Sequence, residues 1–272
     1  MSLNVALIAI GRRENLYARE FVEHYKNLGF ANVIIMDNNY DGEEHFEEVL
    51  KDYIDEGFVI IEDYRNQVKP QMRGYTEMYA KYKNDYDWIA FFDFDEFLIL
   101  PRHRDISDYL SIFPEDCQAV LVNWLCMTDN NLVHYDPRPL MERFTEAMPL
   151  DRFVQYSFPD NCHVKSIIRG KLDITFGGNP HTTDTPLIAY NASGVRCENR
   201  PWQPMDYRIA ILKHFTTKTI EEWVTRKLQV GTPDRNPEQF LPFYKDRFFK
   251  INQMTPEKEE FLKSVKNLET SN

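Results

Sequence analysis

Trp88-Ile89-Ala90-Phe91-Phe92-Asp93-Phe94-Asp95-Glu96-Phe97-Leu98-Ile99-Leu100 is an almost unbroken apolar run interrupted by three acids. A short apolar run rich in aromatic residues and Ile reads as a strand buried on both faces. Three carboxylates where such a strand ends are costly unless something neutralises them, and the usual neutraliser is a bound cation. Asp93 and Asp95 are two apart, so on a strand they point the same way. With the strand ending between them, one acid reaches a metal directly and the other acts through water or a phosphate. Mg²⁺ and Mn²⁺ suit this arrangement, because they take oxygen ligands and share them with substrate phosphates. A plainer reading is also open: acids after a strand often cap the next helix or face solvent.

The 272-residue length suits one large α/β domain, or one domain with an appended subdomain. A hydrophobic content of 43% is too high for a disordered chain and enough for a sizeable core. The net charge of −11 argues against non-specific nucleic-acid binding, which needs a basic field. It also means that a phosphorylated ligand needs a local cation or an Arg/Lys cluster. Cys117, Cys126, Cys162 and Cys197 are widely spaced with no C-x-x-C, which speaks against a zinc site and fits a reducing compartment. The N-terminus lacks the pattern of a signal peptide, and no apolar run reaches the roughly 18 residues of a membrane span. These features set the expectation of a soluble cytoplasmic protein, of bacterial rather than Golgi origin.

Outward from the acidic run, the first half alternates strand and helix. Val5–Ile10 reads as a buried strand, followed by Gly11, Arg12, Arg13 and a helix from about Asn15 to Leu28. Val33–Met36 is a second strand ending in a polar turn at 37–42. Glu43–Glu56 is helical in composition, Phe58–Ile61 is a third strand, and Gln71–Lys83 is a third helix before the acidic strand. Such alternation implies a mainly parallel sheet with helices on both faces. Ligands of these sheets bind beyond the carboxyl ends of the strands. The polar clusters at 11–13, 37–42 and 93–96 all fall there, which joins three separate segments into one cleft.

The second half is less regular. Ala119–Leu125, His163–Arg169 and Ile209–Phe215 read as strands, with a short helical piece around Leu140–Ala147. Residues 177–206 are mostly loop, a length that in a compact domain points to function or mobility. Thr219–Val230 reads as a helix opened by a capping box, Thr219 with Glu222 three residues on. Thr255–Leu268 reads as a charged C-terminal helix.

Asp87-Trp88-Ile89 with Phe92-Asp93-Phe94-Asp95-Glu96-Phe97, preceded by Asp37-Asn38-Asn39, closely resembles the GT-A fold nucleotide-sugar glycosyltransferases, in particular family 92 and related family-2-like bacterial enzymes. The resemblance covers roughly residues 4 to 235. Gln71, Trp124, Lys165-Ser166-Ile167, His214 and Lys227 also match that pattern. The match weakens after Cys126, where relatives often carry an F-G segment and this chain has Met127-Thr128-Asp129. The resemblance implies a GT-A domain over 1–235, with a nucleotide-binding half at 1–126 and an acceptor-side half at 127–235, and a helical extension over 236–272. It implies a UDP-sugar donor, galactose being one choice of sugar, and a glycan or lipid-linked acceptor in cell-surface polysaccharide synthesis. Mn²⁺ or Mg²⁺ would bridge the diphosphate to Asp93 and Asp95.

Residue by residue, Asp93 and Asp95 are the metal and ribose/diphosphate candidates, with Glu96 as a neighbour that orients or caps. The resemblance makes His214 the further metal ligand, with His181 as its rival or as an acceptor contact. It also gives Asp37 and Asn38 to base and ribose, although a plain Asx turn explains the same residues. Arg12 or Arg13 suits a diphosphate by bidentate geometry. Gln71 and Arg73 open a helix facing the cleft, and a helix N-terminus favours anions. Lys165 is a second diphosphate partner. An inverting enzyme needs a carboxylate base, for which Asp129, Asp184 and Glu198 are the candidates in that order. Trp124 either stacks on a sugar or sits in the core. The aromatic and basic stretch 241–251 suggests peripheral contact at the inner face of a membrane, or packing onto the domain. Three other functions compete: a GT-A protein that binds nucleotide sugar without turnover, a D-x-D phosphotransferase of the haloacid dehalogenase type, and a cytidylyltransferase. The phosphotransferase wants its motif on the first strand, and the cytidylyltransferase wants a Gly-rich basic loop longer than Gly11-Arg12-Arg13.

Overall fold

The structure is a computed structural model that describes residues 2–154, 158–230 and 247–269. Its first half follows the expected alternation: β1 (Val5–Gly11), α1 (Asn15–Asn27), β2 (Asn32–Asp37), α2 (Glu47–Asp55), β3 (Val59–Asp63), α3 (Gln71–Tyr82) and β4 (Trp88–Phe91). These strands run parallel in the order β3-β2-β1-β4. Side chains alternate across the sheet, so β1 splits its apolar set between two cores. Leu7 and Ala9 pack with Phe21, Val22 and Leu50 under α1 and α2. Ile8 and Ile10 pack with Tyr75, Met78 and Tyr79 under α3. Burial on both faces is why these strands read as continuous apolar runs.

The acidic run is not one strand. β4 stops at Phe91, a tight turn carries Phe92–Asp95, and β5 (Glu96–Ile99) reappears at the far edge of the sheet. The turn closes with Glu96 N donating to Asp93 O at 2.9 Å. An apolar pattern cannot tell one long buried strand from two short ones joined by a turn.

After α4 (Ile106–Leu110), β6 (Ala119–Cys126), α5 (Leu140–Arg143), β7 (Val164–Arg169), the hairpin of β8 (Ala189–Asn191) and β9 (Arg196–Cys197), and β10 (Ile211–His214) complete the sheet. The full order is β3-β2-β1-β4-β7-β6-β10-β5, with β8 beside β6. Strand β7 runs antiparallel to both β4 and β6, and β5 antiparallel to β10, while β10 and β8 lie parallel to β6, so the second half of the sheet is mixed.

The helix expected over Thr219–Val230 has three parts: Ile220–Glu222, a π-helical turn Trp223–Lys227, and Leu228–Val230 (together α6). Its capping box is present, with Thr219 Oγ1 accepting from Glu222 N at 3.1 Å and Glu222 Oε2 accepting from Thr219 N at 3.1 Å. A π-bulge inside a helix often marks a functional site. Two further helices, α7 (Arg247–Ile251) and α8 (Pro256–Glu269), close the described chain. Residues 241–246 of the aromatic and basic stretch lie outside the described residues. No helix among the described residues is long and apolar enough to cross a membrane.

Candidate active site

Strand order turns back on itself between β1, whose next strand in sequence is β2 on one side, and β4 on the other. The carboxyl ends of such neighbours leave a crevice. Gly11, Arg12 and Arg13 leave β1 there, and Asp93 and Asp95 leave β4 there. A cleft of about 610 Å³ opens above them, within the usual range of ligand sites.

Gly11 decides how close the two ends come. A Cβ on it would lie 2.6 Å from Phe94 Cε2 and 2.8 Å from Phe46 Cζ. The Phe94 ring stacks on Phe46 with centroids 5.2 Å apart. Arg12 lies over the Tyr40 ring at 3.7 Å and makes two 2.8 Å bonds to Glu43. Its guanidinium fork is therefore already occupied, although the residue lines the cleft.

The second turn divides the two residues assigned to it. Asn38 lines the cleft, with its amide donating to Tyr64 O and Gln67 O. Asp37 is fully buried: Oδ1 accepts from Asn39 N and Nδ2, and Oδ2 accepts from Arg65. It holds the turn together and does not line the cleft, which is the Asx-type role open from the sequence. Of the α3 pair, Gln71 is buried and donates to Asp93 Oδ1 at 3.1 Å. Arg73 instead lies exposed beside Glu77 and Gln67, outside the cleft lining. Two residues, about 200° around the helix, separate an inward position from an outward one.

The two acids of the turn meet different partners. Asp93 is part-exposed at its carboxylate, which accepts from Gln71 and Tyr75 and lies 2.9 Å from Lys165 Nζ. Lys165 is fully buried and also lies 3.5 Å from Glu96. It neutralises the underside of the acid turn from within the core and is absent from the cleft surface, which corrects its reading as a diphosphate partner. Glu96 is also fully buried, accepting from Asp93 N at 2.9 Å and from the Trp124 indole at 2.8 Å. Burial pushes its carboxyl well above the ordinary range, against the pull of Lys165. Glu96 ties the acid turn to Trp124 and does not line the cleft.

Asp95 faces the cleft. His214 Nε2 lies 3.6 Å from its Oδ1, and Lys227 and Lys218 lie 3.6 and 3.9 Å from its Oδ2. Burial alone would raise this carboxyl, but the Lys227 and Lys218 ammoniums hold it well below the usual carboxylate range. Burial pushes His214 down to about 3, so the imidazole is neutral. At 3.6 Å the contact to Asp95 is no hydrogen bond, and Nδ1 is buried without a hydrogen-bond partner among the described residues. A neutral imidazole with no hydrogen bond, beside an ionised carboxylate, is a donor pair suited to a divalent ion. No group of three or more His, Cys, Asp or Glu side chains gathers as a complete metal shell among the described residues. The pair therefore fits an ion whose remaining ligands come from a bound substrate or water.

No sequence pattern marks Lys218 as a site residue. It takes a left-handed backbone (φ 54°) just before the capping box, and its ammonium sits 4.4 Å from the Tyr17 ring centroid and points at Asp95. A positive φ at a lysine leaves no mark in composition. Glu14 also lines the cleft, and burial raises its carboxyl against the pull of Lys218 and Lys227.

Trp124 and His181, the two residues expected to meet an acceptor, both line the cleft, with ring centroids 5.0 Å apart. His163, Phe158 and Trp202 join them and were not anticipated. The proposed bases lie elsewhere. Asp129 is buried against the Lys258 ammonium, with its backbone N–H donating to Asn252. Asp184 is exposed and accepts from Gly178 N at 3.1 Å. Neither lines the cleft, nor does Glu198. A loop acid has no periodicity, so nothing in the sequence showed which way each would face.

A family model described as Glycosyltransferase family 92 matches residues 10–248, and the chain belongs to that family. Among curated proteins, a family 92 protein of Ricinus communis is 28% identical over 88 residues, 32% of this chain and 15% of that protein. Another, from Arabidopsis thaliana, is 28% identical over 88 residues, with the same shares of the two chains. One from Oryza sativa subsp. japonica is 26% identical over 99 residues, 36% of this chain and 17% of that protein. The matches thus span about a sixth of the length of these relatives, all of them plant proteins, and lend nothing to the expected bacterial source. Among solved structures, S. aureus TarS 1-349 in complex with UDP-GlcNAc aligns over 94% of this chain and 78% of its own, at 9% identity and a TM-score of 0.45. The same protein in complex with UDP aligns over 67% of this chain and 52% of its own, at 10% identity and a TM-score of 0.42.

Proposed function

We propose that the chain transfers a sugar from a UDP-sugar donor to a glycan or lipid-linked acceptor, with Mn²⁺ or Mg²⁺ held by Asp95 and His214 and supported by Asp93. Family membership supports the reaction class. The observation that carries the site is the convergence of Asp95, His214, Lys218 and Lys227 at the carboxyl end of β4, where the strand order reverses. Glycosyl transfer must stabilise a departing nucleoside diphosphate. Lys218 and Lys227 supply fixed positive charge for it, which is the electrostatic work such a step needs. The divalent ion, when bound, supplies Lewis acidity toward the same leaving group. Asn38 and the turn after β2 bound the nucleoside end of the cleft. Gln71 and Tyr75 hold the Asp93 carboxylate in place, while buried Lys165 offsets its charge from below.

Calorimetric titration of UDP with Mn²⁺, and then with EDTA, tests the proposal on the wild-type chain and on Asp95→Asn. The expected result is binding that needs both metal and Asp95, with UDP-galactose the first donor to try for turnover. Binding of UDP that ignores both would overturn the metal assignment. Silence toward UDP, GDP and CDP alike would overturn the nucleotide-sugar reading.

A further inference from the structure

Lys218 carries a backbone strain that its own residue type does not explain. Its φ of 54° is uncommon for a residue with a side chain, and such a conformation persists only where the surroundings fix it. Two supports surround it. Thr219, the next residue, is the N-cap of α6. On the other side, the Lys218 ammonium lies 4.4 Å from the ring centroid of Tyr17, a buried residue of α1 that lines the cleft. Both supports end on one buried carboxylate. Glu222 Oε2 accepts from Thr219 N at 3.1 Å and from Thr219 Oγ1 at 2.8 Å, while its Oε1 accepts from the Tyr17 hydroxyl at 2.7 Å. Buried Arg143 of α5 closes the group with 2.9 and 3.1 Å bonds to the two oxygens.

We infer that Tyr17 is a positioning residue: its ring, tethered through its hydroxyl to Glu222, is the plate that aims the Lys218 ammonium at a diphosphate beside Asp95. The inference rests on the proposed diphosphate role of Lys218 and adds what holds that lysine in place. A capping box needs only Thr219 and Glu222. It has no need of a tyrosine from α1 or an arginine from α5. The lysine stem is long and flexible, so a fixed backbone alone does not place its ammonium. An aromatic face within about 6 Å does, and the ammonium stands 3.9 Å from Asp95 Oδ2. The ring is itself immobile, because the hydroxyl keeps its proton and donates it: burial and the Glu222 charge raise its pKa far above the ordinary value. Arg143 offsets the charge of Glu222 inside the core, as a buried carboxylate requires. Arg226 shares the ring at a greater distance, 5.8 Å, and is tied to Glu44 at 2.9 Å.

A double-mutant cycle tests the inference. UDP and uridine are titrated, with Mn²⁺ present, into the wild-type chain and into Tyr17→Leu and Tyr17→Phe, each with and without Lys218→Ala. Tyr17→Leu should weaken UDP about fivefold and leave uridine within about twofold. Tyr17→Phe keeps the plate and loses only the tether, so its loss should be smaller. Neither change should weaken UDP further once Lys218 is alanine, because the lysine that the ring aims is gone. Equal losses from the Tyr17 changes with and without Lys218, or equal losses for UDP and uridine, would overturn the inference. A second readout needs no nucleotide. In the metal-free chain with ¹³C-labelled lysine, the ε-methylene protons of Lys218, assigned by their loss in Lys218→Arg, should be shifted upfield by the Tyr17 ring. They should return to the ordinary lysine position in Tyr17→Leu. Unshifted Lys218 protons in the wild type would overturn the inference. Shifted protons in a chain that never binds UDP would keep Tyr17 as the residue that places Lys218 and overturn the nucleotide-sugar reading instead.

Discussion

Nε2 of His214 lies 3.6 Å from Oδ1 of Asp95, with both side chains over nine-tenths buried. The pairing is set by the backbone. His214 on β10 is the register partner of Glu96 on β5, and Phe215 N donates to Asp95 O at 2.8 Å. Neither residue can drift from the other without unzipping the edge of the sheet. Asp95→Asn and His214→Ala should therefore each weaken Mn²⁺-dependent UDP binding by roughly 100-fold, measured by calorimetry. Affinities within about twofold of wild type in both would remove the pair from the site.

The lysines near Asp95 should act on the diphosphate. Lys218→Ala and Lys227→Ala are each expected to weaken UDP about tenfold, the usual scale of a hydrogen bond to a charged group, and to leave uridine almost unchanged. Parallel titrations of UDP and uridine separate the two. Equal losses for both ligands would mean that the lysines only maintain the fold.

Asp129 should matter for stability and not for ligand. Asp129→Ala leaves the buried Lys258 ammonium without its carboxylate, a defect that costs about 3–5 kcal/mol. Thermal unfolding should show a fall on the order of 10 °C for a chain of this size. UDP affinity at a temperature where the variant is folded should be unchanged. A stable variant that binds UDP but has lost transfer would return Asp129 to the catalytic centre.

The imidazole of His214 gives stability a pH dependence with a definite sign. Its pKa falls from 6.5 to about 3 on burial, so between those values the unfolded chain binds more protons than the folded one. Stability from this group is complete above pH 6.5 and is lost as the pH falls toward 3. His181 is lowered by burial in the same direction, while Glu96, raised by burial, slopes the opposite way. Comparing wild type with His214→Gln isolates the one group. Denaturant unfolding from pH 7.5 to 4.5 should show the wild type losing stability faster than the variant, and parallel curves would contradict a buried neutral imidazole.

Gly11→Ala tests the closeness of β1 to the acid turn. The new methyl must displace Phe94 or Phe46, and overpacking of this kind costs about 1–3 kcal/mol. Because Phe94 sits between Asp93 and Asp95, UDP affinity should fall together with stability. A variant that loses stability but keeps wild-type UDP affinity would show that the turn tolerates the shift.

Local patterning was enough to place the first four strands, the cleft beyond their carboxyl ends and the acids that line it. Those elements depend on local periodicity: apolar runs of strand length, amphipathic helices between them, and polar clusters at strand ends, all of which one chain segment carries alone. The capping box at Thr219 was legible for the same reason. Which polar group faces the cleft is fixed instead by long-range packing. Nothing local distinguishes Arg73 from Gln71, buried Asp37 from cleft-lining Asn38, or Lys165 in the core from Lys218 at the surface of the site. The split of the acidic run into β4 and β5 was hidden too, because both pieces are buried and both read as apolar strand. A side chain's facing depends on the packing of segments far apart in sequence. His214 meets Asp95 only because β10 and β5 pair at the edge of the completed sheet.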